Sequence, residues 1–96
     1  MSYIPKPLNT GDIELPPELM ELIEQIAAHV HETWAATRMA DGWKYGNNRD
    51  DVLKEHPYLV PYCDLPDSER VYDRKTAIET LKAVQKLGFE ITFQEE

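Results

Sequence analysis

The chain has 96 residues, 42% hydrophobic and 29% charged, which suits one small domain with a modest core. A formal net charge of −8 speaks against a general polyanion binder, and the single cysteine, Cys63, has no partner for an internal disulfide. No apolar run approaches the ~18–20 residues of a membrane span, and Met1-Ser2-Tyr3-Ile4-Pro5-Lys6 has no basic-then-apolar signal pattern, so a cytoplasmic protein is expected.

Residues 1–16, with Pro5, Pro7 and Pro16, read as an extended arm. Its apolar points Tyr3, Ile4, Leu8, Ile13 and Leu15 are frequent enough to dock on a body, and the Ile13/Leu15 alternation is strand-like. Pro17 suits the first turn of a helix, where a missing N–H costs little. Leu19, Ile23, Ile26, Val30 and Trp34 then recur at spacings of three and four, predicting one amphipathic helix over 17–39, closed by Gly42. Asp50 to Glu55 fit one short helical turn, which His56-Pro57 must end. Leu59-Val60-Pro61-Tyr62 reads as extended and partly buried. Asp67-Ser68 suit a turn into a second helix, expected over 74–87, with Ala77, Ile78, Leu81, Val84 and Leu87 as its apolar stripe. After Gly88, Phe89, Ile91 and Phe93 alternate with polar residues, the pattern of a final strand. The expected core is Leu19, Ile23, Ile26, Val30, Ile78, Leu81 and Val84.

The run Asp41-Gly42-Trp43-Lys44-Tyr45-Gly46-Asn47-Asn48-Arg49 carries the most information. Loops use Gly, Asn and Asp for turn geometry. They seldom carry tryptophan, because an exposed indole buries nothing. Trp43 is therefore either a plug in the core or a flat platform for a planar ligand. Residues 38–75 hold seven of the ten Lys/Arg against eight acids, so this segment is nearly neutral within an acidic chain. Trp43 and Tyr45 beside Arg38, Arg49 and Lys54 form a candidate site: the rings for a base, the cations for phosphate or ribose. The plain alternatives are that Trp34 is core, His31 a boundary residue and Arg38 a helix cap. On that reading the cations pair with Asp50, Asp51, Asp64 or Asp73, Arg74 with Asp73 in particular.

Two other chemistries find little support. His29, His31, His56 and Cys63 lack zinc-ligand spacing, so no metal site is expected. Asp50, Asp51 and His56 stand without a nucleophile, a glycine-rich phosphate cradle or a carboxylate pair, so neither catalysis nor a cofactor is expected.

Several blocks stand in one order: Trp34-Ala35-x-x-Arg38, Gly42-Trp43-x-Tyr45-Gly46, Arg49-Asp50-Asp51, Lys54-x-His56-Pro57-x-Leu59-Val60-Pro61-Tyr62, Leu65-Pro66, Tyr72-Asp73-Arg74, Glu79-Thr80-Leu81-Lys82 and Leu87-Gly88-Phe89. Together they resemble the RyR domain, the repeat named from ryanodine receptor channels, over nearly the whole chain. The resemblance implies an α+β fold of two antiparallel helices with short strands and a long ordered Gly-Trp loop, as a single free-standing repeat of the kind found in bacteria and phages. It implies pairing of two repeats about a pseudo-two-fold axis, here a weak homodimer. It also implies a sensor-type module for an adenine nucleotide or nucleotide derivative, with Trp43 as the stacking ring by match of motif. It implies no membrane pore. A purely structural or protein-interaction module without a small-molecule ligand stays open beside it.

Overall fold

The computed structural model describes residues 2–94. Four-residue helix α1 (Pro17–Met20) leads into α2 (Ile23–Ala40), and α3 (Asp67–Lys86) follows a long connection. That connection holds strands β1 (Lys44–Tyr45) and β2 (Glu55–His56) and a 3-10 turn (Tyr62–Asp64). The strands pair in parallel, with Lys44 beside Glu55 and Tyr45 beside His56. Mixed helix and small sheet are compatible with an α+β class. No helix among the described residues is long and apolar enough to cross a membrane.

Both long helices stop in the same way. At α2 the N–H of Gly42 donates to the Met39 carbonyl and that of Trp43 to the Arg38 carbonyl, each at 3.0 Å. At α3, Gly88 donates to Gln85 and Phe89 to Val84. These paired bonds need a residue at positive φ, and Gly42 (φ 92°) and Gly88 (φ 108°) supply it. The starts differ from expectation. The single helix over 17–39 is interrupted at Glu21-Leu22, where Leu22 bonds back only to Leu19. Nothing in the residue types of Glu21-Leu22 forbids a helix, and both are exposed. The last helix begins at Asp67, seven residues before the expected 74: Pro66 accepts from the N–H groups of Glu69 and Arg70, and the acids Asp67 and Glu69 suit a helix N-terminus.

The core is also differently composed. The helices α2 and α3 pack on each other, but besides Ile23 their buried apolar residues are small: Ala27, Ala35 and Ala77. The larger buried side chains Leu59 and Leu65 come from the connection, and Leu15 from the segment before α1. Leu19, Ile26, Val30, Ile78 and Leu81 are only half-buried, and Val84 is exposed at 37%. Helical periodicity found the inward face of α2 and of the middle of α3, but Leu87, expected on the same stripe, is exposed like Val84, and the connection supplies the buried Leu59 and Leu65.

Long-range polar contacts fasten the rest. The Thr10 hydroxyl donates to Glu79 at 2.9 Å, and Lys86 Nζ lies 3.1 Å from Asp12. Tyr3 and Ile4, further along the arm, are exposed. Arg74 pairs with Glu24 of α2 and Asp67 of α3, not with its neighbour Asp73. Glu24 and the Arg74 guanidinium hold each other charged: the carboxyl is pulled below its usual range and the guanidinium pushed up. Among the described residues no strand forms over 89–93; after the Phe89 bond to Val84 that ends α3 the segment pairs with no strand, and Phe89 and Phe93 are exposed. Ile13 and Leu15 form none either, although Leu15 is buried. Asp50 to Glu55 is a turn rather than a helical one. The Asp50 carboxylate accepts from the N–H groups of Val52 and Leu53 at 3.0 Å, and the backbones of Asp50 and Glu55 exchange two bonds.

Candidate functional site

The end of α2 fixes where Trp43 stands. With its backbone N–H held by the Arg38 carbonyl, its indole turns back along the last helical turn. The Arg38 guanidinium lies over that ring, 4.7 Å from its centroid, and 5.8 Å from the centroid of Trp34, one turn earlier on α2. Arg38 thus sits between two indoles, a cation–π arrangement. Among the described residues no carboxylate lies within 4.0 Å of it. Trp43 itself is half-buried.

The other candidates occupy different stations. Lys54, held in a left-handed conformation (φ 55°), donates from Nζ to the Asp41 carbonyl at 2.8 Å, closing the connection onto the end of α2. Arg49 is exposed and pairs with Asp51 at 2.8 Å, which draws the Asp51 carboxyl below its usual range. Tyr45 is exposed and donates from its hydroxyl to Asn47 at 3.1 Å. Arg38 is therefore the candidate cation bound to neither a carboxylate nor a backbone carbonyl among the described residues.

One organising residue was missed as such in the sequence. His56 presents its ring edge-on to Trp34, with centroids 5.0 Å apart, and lies 6.3 Å from Trp43 and 5.4 Å from Tyr58. Strand β2 delivers it there, and its position directly before Pro57 was the only local signal. His31, expected at a boundary, is buried at 4% exposure, while Trp34 is half-buried. An aromatic belt therefore runs from Trp43 through His56 and Trp34 to His31 and Tyr62. No group of three or more His, Cys, Asp or Glu among the described residues could hold a metal ion.

His56 is held neutral. Its Nδ1 accepts the Tyr58 backbone N–H at 3.0 Å, and a proton there would face that donor. Burial, then Arg49 and Arg38, lower its pKa below the ordinary 6.5. The unfolded chain therefore takes up a proton near pH 6.5 that the folded chain refuses. Stability should be full above that pH and fall as the pH drops through it toward the folded value. Melting temperatures between pH 7.5 and 5.5 should show this decline, and His56→Gln should flatten it. The lowered carboxyls of Asp12, Glu24 and Asp51 lose their contribution only at lower pH, starting from about 4. An identical decline in the variant would show that His56 is not the group responsible.

Most of the sequence blocks fall at the end of α2, in the two-stranded connection and at the start of α3, while Glu79-Thr80-Leu81-Lys82 lies within α3 and Leu87-Gly88-Phe89 just past its end. The chain belongs to the RyR domain family, whose model matches residues 3–93.

Proposed function

We propose that this chain is a non-catalytic, sensor-type module that binds a nucleotide or nucleotide derivative at the end of α2. The observation that carries the reading is Arg38 poised between Trp34 and Trp43 without a carboxylate partner among the described residues. A purine stacked on the indole of Trp43 would gain from the ring, and its phosphate or ribose from Arg38. Arg49 and Lys54 stand near enough in the chain to join, but each must first leave Asp51 or the Asp41 carbonyl. Tyr45 shapes the rim. Selectivity would come from these local contacts, since the net charge of −8 repels long polyanions. The competing structural reading also has an observation in its favour: Arg38 already covers one face of a half-buried Trp43. In that case the indole only locks the connection onto α2.

Calorimetry with adenine mono-, di- and cyclic nucleotides separates the two. Trp43→Ala should weaken binding by ~1–3 kcal/mol, the worth of one stacked base. Its melting curve should stay close to that of the parent. A parent protein that binds none of these nucleotides, together with a variant that no longer folds, would leave only the structural reading. We further propose a weak homodimer, supported by the exposed Tyr3, Ile4, Phe89 and Phe93. Light scattering on the same samples tests it, and a monomer at high concentration with and without nucleotide would contradict it.

A further inference from the structure

A cleft opens beside Trp34, lined from α2, the connection and α3. This cleft of about 270 Å³ is walled by the rings of Trp34, Tyr58 and Tyr72, with His31, Glu69 and Asp73 among its lining. No lysine or arginine lines it.

The hydrogen bonding of His31 is unfinished. Its Nε2 lies 2.7 Å from the Val60 carbonyl oxygen. A carbonyl only accepts, so Nε2 carries the hydrogen, and in the neutral ring Nδ1 is a bare lone pair. That lone pair faces the Asp73 carboxylate at 3.9 Å, too far for a hydrogen bond. Among the described residues neither Nδ1 nor the Asp73 carboxylate has another hydrogen-bond partner. Two acceptors therefore confront each other beside a cleft whose walls are electron-rich ring faces. Burial pushes the Asp73 carboxyl up; His31 opposes this, and neighbouring Glu69 adds to it.

We propose that this cleft binds a small organic cation bearing N–H groups, a short-chain primary or secondary alkylammonium. Its N–H groups donate to His31 Nδ1 and Asp73, Glu69 adds charge, and the rings hold the cation and its alkyl chain through cation–π and apolar contact. The volume lies just below the range usual for drug-sized ligands, which fits an amine of a few carbons. The cleft shares Trp34 with the nucleotide reading, but none of its lining residues is Trp43, Arg38 or Tyr45, so the two can be tested apart.

Titration of the full chain with n-butylammonium, followed by NMR of ¹⁵N-labelled histidine and by calorimetry, tests this. Saturable binding is expected, with the His31 Nδ1 resonance moving. Butanol, which lacks the charge, and tetramethylammonium, which lacks the N–H, should each bind at least about tenfold more weakly, the loss of one charge-assisted hydrogen bond. Glu69→Gln and Asp73→Asn should each weaken n-butylammonium by a similar factor. Glu69 lies at the rim, so its variant keeps the test alive if Asp73→Asn does not fold. Trp43→Ala should leave this binding unchanged. Absence of saturation, butanol binding as well as the amine, or wild-type affinity in a folded Glu69→Gln or Asp73→Asn variant would each overturn the proposal. So would a His31 ring already doubly protonated at neutral pH without amine, since its own proton would then supply the missing donor.

Discussion

Leu65→Ala is expected to destabilise the protein by ~2–5 kcal/mol, the range for removing a buried leucine side chain. Leu65 is only 4% exposed and joins the 3-10 turn to the start of α3, where its N–H bonds to the Tyr62 carbonyl. Apart from Ile23, the buried apolar residues of the long helices are alanines, which leaves little buried bulk on them to refill the space. A domain of this size has ~5–15 kcal/mol in total, so the loss is a large fraction. Leu81→Ala provides the contrast: Leu81 is half-buried on α3 and should cost less. Urea midpoints of the two variants decide the matter. If Leu81→Ala proves the more damaging, the core is organised around the helix stripe, and a core filled from the connection is the wrong description.

That contrast also marks what the sequence could reveal. Period-three and period-four spacing placed α2 and most of α3, and Gly42 and Gly88 marked both helix ends, because these signals are local. The early start of α3 was hidden, since Asp73 and Arg74 look like a boundary until Arg74 is seen reaching Glu24 on α2. The alternation of Phe89, Ile91 and Phe93 was a real strand pattern without a partner, and a strand exists only in its pairing. At the site, the Gly-Trp motif and Arg38 were readable, and the geometry brings their side chains together. The commitments of Lys54 to Asp41 and of His31 to Val60 were not readable, because each joins residues far apart in sequence. Most of the candidate site depends on such joins, above all on the short parallel pairing of β1 with β2.

The pairing itself hangs on Gly46, and Gly46→Val is expected to cost about 3 kcal/mol, the upper end for overpacking. A side chain at position 46 would put its Cβ 2.6 Å from the Cβ of Glu55. That atom is fixed to the backbone of β2 and cannot swing away as the Glu55 carboxylate can. The strands must therefore part, weakening the 3.3 Å bond from the Gly46 N–H to the His56 carbonyl. His56 would leave its place between Trp34 and Trp43, and the belt would lose its middle member. The damage should be local first. Helical circular dichroism should persist at low denaturant, while the near-ultraviolet tryptophan signal changes and the stability step near pH 6.5 shrinks. Any nucleotide binding at Trp43 should fall with it, since Lys54 also hangs from this connection. A Gly46→Val protein with the parent's melting curve and near-ultraviolet spectrum would mean that the two strands do not approach as closely as described, and that His56 is held in the belt by other contacts.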